Sequence, residues 1–144
     1  MRFLDSNVFI YAFYKPKRRL GATEELLKSA SKAIVTDVSK GNESVVTTIV
    51  HVSELVNVLK HGMSPGQLAE AVKGVLASEY IEVLPVDKDD YLSATELGRE
   101  LQVDSNDALA VQVMRSKGLK EIYSFDKAFD RLEGITRLPK MPSP

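Results

Sequence analysis

The chain has 144 residues, 44% of them hydrophobic, with 19 basic against 20 acidic side chains and no cysteine. That length fits one domain able to bury roughly two thirds of its unfolded surface, and the missing cysteines exclude disulfides, thiolate zinc sites and a cysteine nucleophile. A net charge of -1 argues against a uniformly basic nucleic-acid binder but leaves room for a local basic patch. No run nears the ~18 apolar residues of a membrane span. Asp5 stands where a signal peptide would carry its apolar core, so a soluble, cytoplasmic protein is expected.

In chain order, Phe3-Leu4 reads as a short strand and residues 8–13 as a short helix. Lys15-Pro16-Lys17-Arg18-Arg19 is a basic turn, because Pro16 stops what precedes it. Residues 20–38 set Leu26, Leu27, Ala30 and Ile34 on one helical face, and Gly41-Asn42 closes that element. Val45-Val46-Thr47-Thr48-Ile49 is rich in β-branched residues and reads as a strand buried on both faces. Val52, Leu55, Val56 and Leu59 then follow at helical spacing. After a break, Ser64-Pro65 is a good helix start. Residues 67–78 form that helix and 81–86 a strand. Asp87 is placed to cap the next helix, with Tyr91, Ala94, Leu97 and Leu101 as its apolar face. Ser105 is placed to cap another, which runs through Ala108, Leu109 and Val113 to a Gly118 terminus. Residues 122–125 and 135–138 complete the strands. The proline-rich tail 139–144 stands apart from a single domain over 1–138. Strands alternating with helices imply an α/β layer fold with a mainly parallel sheet.

Familiar phosphate loops and the G-x-S-x-G elbow are absent. His51 and His61 share a helical face with Glu54, but ten residues of helix span ~15 Å, so the two histidines cannot share a zinc ion; a solvated or substrate-facing edge is expected for them. The acidic residues are more telling. Asp5 ends the first strand, Glu54 sits early in the helix after the second, Asp107 opens the helix at 105, and Asp126 follows the fourth strand. Taken singly, Asp5, Asp107 and Asp126 read as helix caps and Glu54 as a polar-face residue. Taken together, they sit where strands of a parallel sheet lead into helices, which lie along one edge and form a ligand crevice. Clustered carboxylates repel and need cations or raised pKa values. Oxygen donors without His or Cys nearby select Mg²⁺ or Mn²⁺, and such ions promote phosphodiester hydrolysis.

Asp5-Ser6-Asn7 after Phe3-Leu4, Ser53-Glu54-Leu55, Asn106-Asp107-Ala108-Leu109-Ala110 and Ser124-Phe125-Asp126-Lys127-Ala128-Phe129 resemble the successive motifs of the PIN-domain family. The resemblance covers residues 1–138 and implies a three-layer α/β/α fold with a five-stranded parallel sheet. It further implies an Mg²⁺- or Mn²⁺-dependent ribonuclease of the VapC toxin type, cytoplasmic, dimeric and neutralised by a small antitoxin. By the same resemblance Asp5, Glu54, Asp107 and Asp126 are the catalytic metal ligands, Asn7 supports Asp5, and Ser124 stands near the hydroxyl position before the last Asp. Asp104 is either an outer carboxylate of the site or a cap, and Asp130 reads as structural.

RNA binding needs positive charge. Lys15, Lys17, Arg18 and Arg19 form the densest local cluster, either a phosphate-binding turn or a solvated one. Tyr11, Phe13 and Tyr14 offer either stacking faces for bases or core and dimer packing. The competing readings are an RNA-processing nuclease without an antitoxin, a non-catalytic interaction module, and a DNA flap nuclease, for whose extra loops 144 residues leave little room.

Overall fold

The structure, a computed structural model, describes residues 1–141; positions 142–144 of the expected tail lie outside them. Five strands, β1 (Arg2–Leu4), β2 (Val45–Thr48), β3 (Ile81–Leu84), β4 (Glu121–Tyr123) and β5 (Thr136–Leu138), pair in the order β3-β2-β1-β4-β5. All four pairings are parallel. Six helices connect and cover them: α1 (Ser6–Phe13), α2 (Ala22–Ser39), α3 (Ile49–Leu59), α4 (Pro65–Ala77), α5 (Lys88–Leu101) and α6 (Ser105–Lys117). A 3₁₀ turn, Lys127–Arg131, links β4 to β5. Among the described residues no helix is long and apolar enough to cross a membrane.

The period-two alternation of the strands divides the core in two. Leu4, Val45 and Tyr123 face a cluster with Val8 and Phe9 of α1, Ile34 and Val38 of α2, Leu55 and Leu59 of α3 and Val75 of α4. Phe3, Val46 and Ile122 face the other way, against Ala110, Val111 and Met114 of α6 and Phe129. Layers on both faces make this a three-layer α/β/α sandwich, and β2 is buried along its whole length.

Local signals account for most boundaries. Ser64 and Gln67 form a reciprocal capping box with Pro65 at the first helical position, and Asp87 and Asp90 form another before α5. Gly118 ends α6 in the left-handed conformation, φ 67°. Three expectations need correction. The N-cap of α6 is Asp104 and not Ser105: the extended residue at that point is Asp104, and its carboxylate accepts the Asp107 N–H at 2.8 Å. Tyr91 is exposed and reaches Asn106 Oδ1 with its hydroxyl at 2.6 Å, while the rest of the expected face faces inward: Ala94 is buried, Leu97 and Leu101 pack against the core, and Gly98 is buried with them. Leu26 is likewise exposed, and α2 packs through Ser31, Ile34 and Val38.

Gly98 has a packing reason to be glycine. A Cβ there would stand 2.7 Å from the Val103 carbonyl oxygen, in the connection that carries Asp104 into α6. Gly98→Ala should therefore lower stability by about 1–3 kcal/mol despite the gain in helix propensity. Urea unfolding that shows a more stable Ala variant would contradict this close contact.

Candidate active site

β1 lies between β2 and β4, so the chain leaves β1 toward one side of the sheet and later adds β4 on the other. A crevice forms at the strand ends where the order reverses. Asp5, the residue after β1, is buried there. Its backbone N–H donates to the Tyr123 carbonyl at 3.0 Å, continuing the β1–β4 pairing by one residue. Its Oδ1 accepts the Ser6 N–H at 2.8 Å, which caps α1, and its Oδ2 accepts the Ser124 hydroxyl at 2.7 Å.

Ser124 is fully buried, and its Oγ also accepts the Asp126 N–H at 3.0 Å. The Asn7 side-chain carbonyl accepts the Phe125 N–H at 3.2 Å, and its amide reaches Ser124 Oγ at 3.4 Å. Asn7 and Ser124 thus stitch the end of β1 to the end of β4. Asp126 then caps the 3₁₀ turn by accepting the Ala128 N–H at 2.9 Å. Ser6 provides a link that sequence reasoning left out as an individual residue: its hydroxyl donates to Glu54 Oε1 at 3.2 Å and so ties α3 to the Asp5 corner. Its adjacency to Asp5 at a helix start was the available signal.

Asp107 enters from α6 half-buried. Desolvation, followed by the charges of Asp104, Asp5 and Asp126, raises its carboxyl to about 8, and hydrogen bonding with Asp126 favours the same neutral form. Asp5 is raised to about 6, chiefly by burial; its bonds from Ser124 and the Ser6 N–H oppose the rise, and the Asp126 charge adds to it. Among the described residues no Lys or Arg forms an ion pair with Asp5, Glu54, Asp104, Asp107 or Asp126. Arg137 feels the Asp126 charge, but its guanidinium is paired with Asp130. The fold thus gathers negative charge and leaves it without a cation from the chain.

His51 is the main correction at the site. It is not on a solvated edge: it is 1% exposed, with Phe3 edge-on to its ring at 4.9 Å between centroids. One donor atom from each of Asp5, His51 and Glu54 lies within 4.8 Å of the others, so the carboxylates do have a histidine beside them. The cause is the cap of α3. Thr48 Oγ1 accepts the His51 N–H at 3.3 Å and lies 2.7 Å from His51 Nδ1, which turns the ring inward. Burial lowers its pKa to about 4, against the opposing pull of Glu54, the Asn106 backbone and Asp104. Nδ1 and Thr48 Oγ1 share one hydrogen bond, for which the hydroxyl carries both a proton to give and a second lone pair to accept with. A neutral ring so arranged buttresses the Glu54 and Asn106 segments. His61 lies apart from this group, as the helix length demands.

Other expected residues fall outside the carboxylate cluster. Asp104 is exposed and spends its carboxylate on capping α6, while its charge still bears on Asp107. In the basic turn, Arg18 is exposed and pairs with both Glu24 oxygens, at 3.0 and 2.7 Å. Lys15, Lys17 and Arg19 are exposed. Phe13 packs into the core beside Phe9, Tyr11 stands edge-on to Phe125, and Tyr14 stays 37% exposed.

The sequence profile of the PIN domain matches residues 2–135. The chain belongs to the PIN-domain family. No curated protein sequence matches it. Among solved structures it resembles VapC20 of Mycobacterium tuberculosis, described as a sarcin-ricin loop cleaving toxin, at 22% identity and a TM-score of 0.66. That match covers 88% of this chain and 90% of the other. A toxin–antitoxin complex from Klebsiella pneumoniae is similar at 12% identity and TM-score 0.64, over 94% of this chain and 96% of that one. VapBC2 of Rickettsia felis, bound to a DNA fragment from the promoter, is similar at 15% and 0.63, over 95% and 96%. At these identities the likeness establishes the PIN fold, with its sheet and helices aligned nearly end to end.

Proposed function

We propose that this PIN-domain protein is an Mg²⁺- or Mn²⁺-dependent endoribonuclease and the toxin of a VapBC-type pair, acting in the cytoplasm. The observation that carries the reading is the convergence of Asp5, Asp107 and Asp126, with Glu54 held beside them through Ser6, at a sheet edge where the chain provides no cation in ion-pair contact. A purely structural cluster would be neutralised by Lys or Arg; one left to hold protons fits a hard divalent ion bound through oxygen. His51 does not alter that preference, since one imidazole beside four carboxylates leaves the donor set dominated by oxygen.

Asp5, Glu54, Asp107 and Asp126 would hold the ion or ions. When bound, the metal would supply positive charge to the phosphodiester oxygens and lower the pKa of a water. The chain's own groups do the positioning. Ser124 and the Ser6 N–H hold the two Asp5 oxygens in one orientation, and Ser6 Oγ sets Glu54. Asp107 keeps its proton near neutral pH until a cation displaces it.

The same negative site accounts for how the activity could be silenced. An antitoxin segment presenting one Arg would satisfy carboxylates bidentately and crowd the metal. A homodimer is part of this proposal. Purified protein should cleave RNA with Mg²⁺ or Mn²⁺ and stop in excess chelator, and the product of the neighbouring reading frame should copurify and suppress cleavage. Cleavage at full rate in chelator would sink the metal mechanism. A copurifying partner that leaves cleavage untouched, or none at all, would favour an RNA-processing nuclease.

A further inference from the structure

Nothing in the proposed reaction uses His51. It stands three residues before Glu54, so one turn of α3 presents an imidazole and a carboxylate on the same face. Asp5 meets them from the end of β1. One donor atom from each of the three lies within 4.8 Å of the other two, a spacing at which a histidine and two carboxylates are able to share an ion. A histidine and a glutamate three apart on an inward-facing helix are a recurrent ligand pair in carboxylate-rich metal sites.

The ring is also held as a ligand needs to be held. Thr48 Oγ1 stands 2.7 Å from Nδ1, and Phe3 packs edge-on to the imidazole, so the ring has support both at that nitrogen and across its plane. Thr48 is the N-cap of α3, which fixes its hydroxyl where it is able to accept from Nδ1–H. In that tautomer Nε2 keeps its lone pair. A metal-bound histidine is usually held this way, one nitrogen donating to a fixed oxygen and the other binding the ion. Burial keeps the ring neutral, so it brings no extra proton for a cation to displace. The competing partner is the Asn106 backbone, which hydrogen-bonds the ring and is the contact a purely structural histidine would keep.

We propose that His51 is a nitrogen ligand of the ion held by Asp5 and Glu54, and that it turns this site toward Mn²⁺ and away from Mg²⁺. The assignment rests on the metal-dependent reading and names the ion within it. Mg²⁺ demands a near-ideal octahedron of oxygens and dehydrates reluctantly. Mn²⁺ takes the same oxygen-rich set and, as the first ion of the Irving–Williams series, also bonds nitrogen. Zn²⁺ would gain from the imidazole too, but its tetrahedral preference suits a crowd of carboxylates less well.

The chain has two histidines, and His61 lies apart from the site, so labelled histidine reports on nearly one residue. Half an equivalent of Mn²⁺ added to the full wild-type chain, with no Mg²⁺ present, allows pulsed EPR without requiring cleavage or a variant that folds. The spin-echo modulation should show a directly bound ¹⁴N. That pattern should change to ¹⁵N in protein made with ¹⁵N-histidine, persist in His61→Gln and vanish in His51→Gln. Mg²⁺ should displace Mn²⁺ from His51→Gln at a concentration at least roughly tenfold lower than from wild type, the smaller of the effects seen when a metal-bound histidine is disturbed. Bound Mn²⁺ with no histidine nitrogen coupling, or coupling lost in His61→Gln, would overturn the ligand and leave His51 as a buttress of the Asn106 segment. Equal displacement by Mg²⁺ in wild type and His51→Gln would overturn the selectivity. Failure of the nuclease reading appears separately, as RNA left uncut by the wild-type protein with Mn²⁺.

Discussion

Asp107→Asn should lose RNA cleavage by roughly 10²–10³-fold, the scale on which removing one preorganised electrostatic group acts, while the metal-free protein becomes more stable. The two effects have one cause. Asp107 faces Asp5, Asp126 and Asp104, and its carboxyl sits at about 8 because a second negative charge there is unfavourable without a cation. Asn reproduces the shape and hydrogen bonding of the neutral acid and can still donate to Asp126. It cannot become the anion that a divalent ion requires. The cap of α6 is untouched, because Asp104 provides that carboxylate and Asp107 only its backbone N–H. Cleavage assays in Mn²⁺ and thermal melts in EDTA at pH 8 measure both halves. Cleavage at the wild-type rate would remove Asp107 from the reacting site, and a lower melting temperature in EDTA would assign it a stabilising role instead.

The metal-free protein should lose stability as pH rises from about 6.5 to 8, and Mn²⁺ should restore it most at the alkaline end. The sign follows from proton binding. Asp5 titrates at about 6 in the fold and at about 3.9 in an unfolded chain. Asp5 alone makes stability fall between those values, but His51, lowered to about 4 in the fold from 6.5, has the opposite sign between about 4 and 6.5 and offsets it. Once pH is above both values the burial of the Asp5 charge costs about 3 kcal/mol, at about 1.4 kcal/mol per tenfold difference. Asp107, at about 8, carries the net decline above about 6.5, where His51 is neutral in both states. The carboxyls titrate together, so the decline belongs to the cluster. A metal that binds only the anionic cluster stabilises the folded state by mass action, and more so as proton competition fades. Urea titrations at pH 5, 6, 7 and 8, with EDTA or Mn²⁺, provide the test. Metal-free stability that is level or rises from pH 7 to 8 would contradict the buried, mutually repelling carboxylates. An Mn²⁺ gain equal at pH 5 and pH 8 would contradict their role as its ligands.

Much of the fold was readable because its determinants are local. The β-branched run at 45–49 is strand β2 apart from its last residue, which opens α3, and Ser64-Pro65 and Gly118 delimit helices where turn chemistry says they should. Boundaries slipped where two neighbours compete for one role. Asp104 and Ser105 are both good cap formers, and the extended conformation at 104 selects between them. Tyr91 has a helical-face position that favours burial, yet its hydroxyl reaches Asn106 at the surface. Amphipathic spacing cannot tell which rim of a face meets a neighbouring helix.

With Asn7 and Ser124 coming only from the resemblance to the PIN-domain family, the sequence by itself determined the α/β alternation, the parallel sheet it demands, and the candidates Asp5, Glu54, Asp107 and Asp126. These follow from residue type, period and position after strands, all of them properties of a few adjacent residues. Only the tertiary structure decided which charges share a dielectric environment. His51 is separated from Asp5 by 46 positions in the chain, yet the Thr48 cap turns it in to within 4.8 Å of Asp5 and Glu54. Ser6 reaches Glu54, Arg18 is taken by Glu24, and Lys28 is drawn to the end of α1. Each of these is a contact between elements whose partner is chosen by packing, and Coulomb and desolvation energies depend on that distance and burial, which no local pattern encodes.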